Sequence, residues 1–311
     1  MSHILIIDTD PSIDDGIAIL MALSRKDLFD LIIINTTAGN NTIQNVTINA
    51  FKILELVGAN NVVVNQGIDS PLVNPLVLAD HVYGKTGLDG FDLPEPRMSV
   101  SGQPAYQSII DTVMMNPPDT VTLCCLAPLT NVAFAVKVCP AIAQRVKSIV
   151  IMGGAFFTSG NITSISEFNV YVDPEAASIV FSTFPNIVCI PLDCTHNAMF
   201  NYNILDKFLL LKRPLGCALY SLLKEAKAYE YRKYNCVGFP LHDPTVIAYL
   251  INPEIFTGSH AMVTVDIRRG FTRGITFADY NTYKEAGNTF LLTNVNRNDY
   301  LDIIFSSLGR F

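Results

Sequence analysis

The sequence contains no tryptophan, few charged residues and no C-x-x-C pair among its seven cysteines. Only 16% of the 311 residues are charged and the formal net charge is −7, which argues against a nucleic-acid backbone or an anionic membrane as a partner. Without tryptophan, an aromatic platform for carbohydrate rings is also disfavoured. The odd number of cysteines, most of them within apolar runs, indicates reduced thiols in a cytoplasmic protein.

No apolar run reaches the length that a transmembrane helix requires. The first apolar run has neither a basic segment before it nor a cleavage site after it, so we expect no signal peptide. Half of the residues are hydrophobic, which is enough for one large buried core.

Four carboxylates crowd into eight positions near the start of the chain. Asp8, Asp10, Asp14 and Asp15 directly follow an apolar run typical of a buried strand, and helical spacing of apolar residues begins at Ile13. Like charges at this spacing raise one another's pKa unless a cation neutralises them, and oxygen ligands select Ca²⁺ or Mg²⁺. A helix cap or first-turn acids would explain one or two of these residues, but not four. We therefore predict a metal or catalytic site at the carboxyl end of the first strand, where open α/β sheets bind ligands.

Strand-like and helix-like segments alternate along the chain, which is typical of parallel strands joined by helical crossovers. The predicted strands after the first are 31–36, 61–65, 121–125, 148–152 and 187–191. The main predicted helices are 42–57, 106–115, 129–138, 174–182, 215–229, 244–251 and 297–307. A separate, small antiparallel element is predicted near the C-terminus, at 262–266, 275–280 and 289–293. We predict an α/β fold in which residues 1–311 form a single domain with a mostly parallel central sheet flanked by helices, as in Rossmann-like proteins.

Two stretches, residues 71–104 and 225–241, do not fit this alternation. Long irregular segments in a compact domain are usually functional loops or disordered. Aromatic residues in these stretches, together with His81, favour loops that cover a substrate. A half-buried helix face is the alternative interpretation of the tyrosines in the second stretch.

Polar residues also follow the ends of other predicted strands or begin helices. They are Asn40, the turns that begin at Leu126 and Met152, the group Asn161, Glu167 and Asn169, and the pair His242–Asp243. Individually each signal is weak, because an Asp before a proline is usually a helix cap. Together they predict a single mouth, since the carboxyl ends of parallel strands lie at one edge of a sheet.

With these motifs in this order, the chain resembles the nucleoside hydrolase family, the inosine-uridine-preferring ribohydrolases, over essentially all of its length. The anchor is Asp8-Thr9-Asp10-Pro11-Ser12-Ile13-Asp14-Asp15, which is similar to the family's D-T-D-P-G-x-D-D. Its companions are Gly39-Asn40, Leu129-Thr130-Asn131, Met152-Gly153-Gly154, Glu167-x-Asn169 and His242-Asp243. Two positions depart from the family pattern: Ser12 replaces a glycine, and Leu126-Ala127 replaces a common Thr-Gly.

The resemblance implies a role for each matching residue, and a homodimer or homotetramer as the assembly. The implied Ca²⁺ ligands are Asp10, Asp15, Asp243 and the backbone carbonyl of Leu126. The implied substrate contacts are Asp14, Asn40, His81, Met152, Asn161, Glu167, Asn169 and, on the base side, Tyr234. The implied catalytic residues are Asp10, as general base, and His242, as leaving-group acid.

The predicted function is hydrolysis of the N-glycosidic bond of ribonucleosides to free base and ribose. This reaction passes through an oxocarbenium-like state, which an acidic pocket stabilises. A calcium ion would orient the ribose diol and lower the pKa of a bound water, from which Asp10 would take the proton. His242 has a suitable ordinary pKa for protonating the leaving base.

Two alternatives differ from this prediction in their chemistry. A haloacid-dehalogenase-like phosphatase also has a D-x-D after an apolar strand, but its motif lacks the Asp14-Asp15 doublet, and the late motifs here offer no convincing phosphate-binding lysine. A non-catalytic nucleoside-binding protein would keep the pocket and lose turnover, which the presence of Asp10 and His242 disfavours. The sequence leaves the preference between purine and pyrimidine open.

Overall fold

A nine-stranded sheet forms the centre of the protein. The computed structural model describes residues 3–234, 238–281 and 287–311, except for the side chains of residues 202 and 226–234. The strands of the sheet are β1 (Ile4–Thr9), β2 (Leu31–Thr36), β3 (Val63–Asn65), β4 (Val121–Cys125), β5 (Ser148–Met152), β6 (Ile187–Ile190), β9 (Phe256–Val265), β10 (Thr276–Asp279) and β11 (Thr289–Val295). A second, two-stranded sheet pairs β7 (Phe200–Asn201) with β8 (Gly238–Phe239).

The order of strands in the large sheet is β10-β9-β11-β6-β5-β4-β1-β2-β3. The pairs from β11 to β3 in this order are parallel, whereas β9 is antiparallel to both β11 and β10. The chain runs outward from β1 to β3 and then returns to β4 on the other side of β1. This reversal leaves a crevice at the carboxyl ends of β1 and β4, which is where sheets of this kind bind ligands.

Helices cover both faces of the sheet. They are α1 (Ile13–Leu23), α2 (Ile43–Leu56), α3 (Asp80–Tyr83), α4 (Ala105–Met115), α5 (Thr130–Val138), α6 (Phe168–Val172), α7 (Pro174–Thr183), α8 (Leu192–Thr195), α9 (Tyr202–Leu205), α10 (Leu215–Tyr234), α11 (Pro244–Ile251) and α12 (Arg297–Leu308). Alternate side chains of β1 enter different cores: Leu5 and Ile7 pack in one, and Ile4 and Ile6 in the other. Burial on both faces explains why β1 is a continuous apolar run.

The predicted α/β fold with a mostly parallel sheet is confirmed, and the strands at 31–36, 121–125 and 148–152 occupy the predicted residues. The predicted small antiparallel addition near the C-terminus is also confirmed, although it is part of the main sheet and not a separate element. β9 and β10 extend the main sheet, because β11 pairs in parallel with β6 and carries β9 with it. That residues 1–311 form a single domain stays a prediction.

The interpretation of 225–241 as an irregular loop is wrong over its first part, where the alternative, a helix, is found: α10 continues to Tyr234. Residues 225–234 are rich in Ala, Lys and Glu and contain neither proline nor glycine, so helix propensity favours continuation. The stretch 71–104 is irregular apart from the short α3. None of the helices in the described ranges has an apolar stretch sufficient to cross a lipid bilayer.

Candidate active site

Three buried carboxylates meet at the crevice beside β1. Oxygen atoms of Asp14, Asp15 and Asp243 all lie within 4.8 Å of one another. Asp14 and Asp15 are in the first turn of α1, directly after β1, while Asp243 precedes α11, which packs against α1. The hydroxyl of Tyr300 in α12 donates a 2.9 Å hydrogen bond to the carbonyl of Leu241, just before this aspartate. The fold therefore holds two distant parts of the chain so that their carboxylates share one site.

Asp10 follows β1 and is completely buried near this cluster. Its Oδ2 accepts a 2.6 Å hydrogen bond from the backbone N–H of Asn40, in the turn after β2. Its Oδ1 is buried and has no hydrogen-bond partner among the described residues. Gly39 makes this approach of the two turns possible, because a Cβ there would overlap Asp10 Oδ2 and crowd Pro128. An unpartnered buried carboxylate oxygen costs free energy unless a ligand satisfies it.

Ser12, at the position of the motif's glycine, adopts an unstrained conformation. Its φ of −110° is outside the left-handed region that favours glycine. Its hydroxyl lies 2.9 Å from Oδ1 of Asp14 and 3.0 Å from Oδ2 of Asp15, and its backbone N–H donates to the latter oxygen at 3.1 Å. The serine is therefore compatible with the motif and adds a donor to the acidic cluster.

The pKa values of Asp10, Asp14 and Asp243 reflect an excess of buried negative charge. Burial raises the pKa of Asp10 and of Asp243 well above the usual range, and neighbouring carboxylates raise both further. Burial and then Asp15 raise the pKa of Asp14 to about 6. A divalent cation would reverse these shifts, because it favours the ionised carboxylates. The donors are all oxygen atoms, which fits Ca²⁺ or Mg²⁺ better than zinc.

Asn169 connects the ends of two neighbouring strands. Its Nδ2 donates to the backbone carbonyl of Leu126, after β4, at 2.9 Å, and to that of Met152, at the end of β5, at 3.3 Å. The acceptor at Leu126 is the backbone carbonyl oxygen, so the replacement of the family's usual Thr by Leu leaves this contact intact.

Glu167 and Asn161 organise the loop between β5 and α6. Glu167 caps α6, and its carboxylate accepts hydrogen bonds from the backbone N–H groups of Asn169 at 2.8 Å and Val170 at 3.1 Å. Burial nonetheless raises the pKa of the Glu167 carboxyl. The Oδ1 of Asn161 accepts a 2.8 Å hydrogen bond from the backbone N–H of Phe168, which fixes the loop over the site.

A cavity of about 510 Å³ opens above these groups. This volume is in the range of small-molecule sites. The sequence-predicted residues that line it are Asp14, Asn40, His81, Leu126, Met152, Asn161, Glu167, Asn169, His242 and Asp243. Their elements follow β1, β2, β4 and β5 or precede α6 and α11, with His81 reaching the cavity from α3. The side chain of Tyr234 lies outside the described part of the structure, so its contact with the base stays a prediction.

His242 lies in the cavity wall beside a buried hydroxyl. Its Nδ1 is 2.8 Å from Oγ1 of Thr195, the last residue of α8, and the His196 ring is 5.9 Å away, measured between ring centroids. Burial, with a smaller effect of His196, lowers the pKa of His242 to about 3. The ring of the free protein is therefore neutral at neutral pH. This pKa differs from the ordinary pKa that the sequence analysis assumed.

The cavity also contains residues that the sequence analysis did not select. They are Ala79, Val82, Tyr83, Ser159, Gly160, Ile162, Phe168, His196, Met199 and Pro240. The Tyr83 hydroxyl lies 3.4 Å from Oδ1 of Asp14. Thr195 and His196 follow β6 just as the other polar turns follow their strands, so the same rule applied to 187–191 would have selected them. The apolar loop residues carry no comparable signal.

A family of known proteins matches the chain over almost its whole length. The family model described as inosine-uridine preferring nucleoside hydrolase matches residues 5–302. The chain belongs to this family. It is 36% identical over 314 residues to the pyrimidine-specific ribonucleoside hydrolase RihA of Photobacterium profundum, with 100% of both chains covered.

Two solved structures extend the comparison. A plant nucleoside hydrolase has a TM-score of 0.93 at 29% identity, with 99% of each chain covered. A purine-preferring ribonucleoside hydrolase from Gardnerella vaginalis has a TM-score of 0.91 at 27% identity, with 98% of this chain and 99% of that chain covered. The predicted family and the prediction of a hydrolase acting on N-glycosyl bonds are confirmed. The individual roles of the site residues stay predictions.

We expect the chelator-treated protein to lose stability between pH 6.5 and 8.0. Burial raises the pKa of Asp8 to about 7, and the pKa values of Asp10 and Asp243 are also raised. The folded state therefore binds more protons than the unfolded state in this window, so the free energy of unfolding falls as pH rises. The buried histidines have lowered pKa values and act in the opposite direction, but only below their unfolded pKa of about 6.5.

Urea unfolding of the chelated protein at pH 6.5 and at pH 8.0 measures this change in the free energy of unfolding. Added Ca²⁺ should remove the part of this pH dependence that Asp10 and Asp243 cause and stabilise the protein by about 2.7 kcal/mol at a hundredfold excess over Kd. Equal midpoints at the two pH values in the chelated protein, or no response to Ca²⁺, would contradict the assignment of excess charge to this cluster.

Proposed function

We propose that this protein hydrolyses ribonucleosides to free base and ribose by a calcium-dependent mechanism in which Asp10 is the general base. The observation that carries the proposal is the buried, unpartnered Oδ1 of Asp10 near the cluster of Asp14, Asp15 and Asp243. A free carboxylate oxygen in such a position can accept a proton, and the adjoining cavity can hold a nucleoside.

The proposed calcium ligands are Asp10, Asp15, Asp243 and the backbone carbonyl of Leu126. Support for this set comes from the raised pKa values of Asp10 and Asp243 and from the exclusively oxygen donors. Asp14 belongs to the same carboxylate group and lines the cavity, so it is suited to contact the sugar beside the ion. When bound, Ca²⁺ would orient the sugar hydroxyls and lower the pKa of a nearby water.

The chain's own residues perform the remaining steps. Asp14, Asn161, Glu167 and Asn169 bind the ribose hydroxyls and present acidic or carbonyl oxygens to the positive charge that develops on the sugar. As the bond from C1′ to the base nitrogen breaks, its electron pair moves to the base. Water adds to C1′ and gives one proton to Asp10, so that ribose and base are the products.

His242 is proposed to act on the leaving base. Because burial lowers its pKa to about 3, an acid role requires the ring to gain a proton from solvent in the substrate complex. The ring then gives a proton to the base and returns to the neutral form. The base lies among apolar side chains, including Val82, Ile162 and Met199, which line the cavity and suit a planar heterocycle.

The phosphatase alternative is disfavoured by the cavity itself. Among the described residues that line it, none is lysine or arginine. A phosphate monoester carries negative charge that a site of buried carboxylates would repel without such partners. Relatives named for pyrimidine and for purine nucleosides lead us to propose ribonucleosides as the substrate class without a choice of base.

A turnover panel tests the proposed function directly. Purified protein with Ca²⁺ is incubated with inosine, adenosine, uridine, cytidine and a phosphate monoester, and free base, reducing sugar and phosphate are measured. We expect equal amounts of base and ribose from at least one nucleoside and no phosphate. Rigorous chelation should abolish turnover, and Ca²⁺ should restore it. Phosphate release, or binding of nucleosides without cleavage, would support one of the alternatives instead.

Replacement of Asp10 by asparagine should retain nucleoside binding and remove turnover. A positioned general base contributes about 10²–10⁴-fold, and loss of a charged ion ligand adds to this, so kcat should fall by at least that range. Steady-state kinetics and calorimetric nucleoside binding measure the two effects. The exposed Asp302→Asn is the matched control and should keep the wild-type kcat. Near-normal turnover of Asp10→Asn would mean that another group activates the water.

The loss of activity on replacement of His242 by alanine should depend on the leaving group of the substrate. Inosine hydrolysis should slow by about 10²-fold or more, as for loss of a general acid, whereas a nitrophenyl riboside should be affected far less. The exposed His260→Ala serves as the matched control. If His242 only supports Asp243 by packing, both substrates will lose activity equally and calcium affinity will fall.

A further inference from the structure

Thr195 is a buried hydroxyl that contacts the ring of His242 from behind the cavity wall. The residue is fully inaccessible to solvent, and its Oγ1 lies 2.8 Å from Nδ1 of His242. It ends α8, which follows β6, so a rigid strand end fixes its position. The His242 ring lines the cavity, while Thr195 itself does not.

We propose that Thr195 is a positioning residue whose hydroxyl holds the His242 ring so that Nε2–H faces the leaving base. This inference rests on the proposed function, because it assigns a second residue to the step in which His242 acts. Thr195 touches neither the substrate nor the ion in this proposal.

The distances around Thr195 Oγ1 favour one of the two neutral tautomers of the His242 ring. A neutral imidazole has one N–H, and the partner of one nitrogen selects the tautomer. The other acceptor near Thr195 Oγ1 is the carbonyl of Leu192 at 3.5 Å, the outer limit of a hydrogen bond. Nδ1 at 2.8 Å is the better acceptor, which favours a hydroxyl that donates to Nδ1 and a ring hydrogen on Nε2.

A different threonine holds the backbone of the same histidine. The Oγ1 of Thr245, in α11, donates a 2.5 Å hydrogen bond to the carbonyl of His242. Thr195 and Thr245 therefore separate two functions: the first orients the ring, and the second fixes the main chain near Asp243. The chain consequently offers a matched control in which a buried threonine hydroxyl is removed without changing the ring contact.

The experiment compares Thr195→Val, Thr195→Ser and Thr245→Val on inosine and a nitrophenyl riboside. We expect Thr195→Val to lower kcat for inosine by about tenfold or more with little change in KM, because a misoriented donor loses part of a general-acid contribution. The nitrophenyl riboside, which needs little assistance, should lose less than about threefold. Thr195→Ser keeps the hydroxyl and should restore inosine turnover. Thr245→Val should leave the ratio of the two substrates unchanged.

Two further measurements keep the inference testable if Thr195→Val folds poorly. In a His242→Ala background, Thr195→Val should cause no additional loss on inosine. Nitrogen NMR of histidine-labelled protein, with His242→Ala for assignment, should give the neutral Nε2–H tautomer in wild type and in Thr195→Ser.

Several results would overturn the inference. They are equal losses on both substrates in Thr195→Val, failure of Thr195→Ser to restore turnover, an additive loss in the His242→Ala background, or an Nδ1–H tautomer in the free protein. Failure of the proposed function is distinguishable, because wild-type protein would then release neither base nor ribose from any nucleoside, whatever the tautomer.

Discussion

Mutual repulsion among buried carboxylates is the constraint on which the rest of the site depends. Asp10, Asp14, Asp15 and Asp243 are all buried, so their repulsion is screened far less than it would be in water. Neighbouring donors offset part of the cost: the hydroxyl of Thr9 lies 2.5 Å from Oδ1 of Asp15, and the backbone N–H groups of the adjoining turns add further hydrogen bonds. A divalent cation bound at this cluster would neutralise the negative charge that remains.

The strand order explains why such a cluster can form at this place. β1 is an interior strand between β2 and β4; β2 and β3 lie on one side of it, and β4, β5 and β6 lie on the other. The turns at the carboxyl ends therefore diverge and leave room for side chains from distant positions, including Asp243 of the α11 turn. A site at the end of an edge strand would lack these neighbours, and its carboxylates would remain hydrated.

Much of this architecture could be predicted, because the apolar strands and the polar turns that follow them are both local features of the sequence. Buried parallel strands are short apolar runs, and the turn residues that follow them share one edge, so β1, β4 and the motif at 8–15 were predictable. The pairing of β11 with β6 could not be predicted, because strand pairing depends on tertiary packing. The environment of His242 could not be predicted from the sequence either, because its lowered pKa comes from burial by segments far away in the sequence.

The amide of Asn169 has a consequence for how the protein would respond to its surroundings. It donates to the carbonyl of Leu126, a proposed ligand of the ion, while the same residue lines the nucleoside cavity. Where binding at one position changes the affinity at the other, thermodynamic reciprocity makes the two factors equal. If nucleoside strengthens ion binding, the ion is retained while nucleoside is abundant and dissociates more readily as nucleoside is consumed. The supply of substrate would thereby set the fraction of enzyme that is competent to use it.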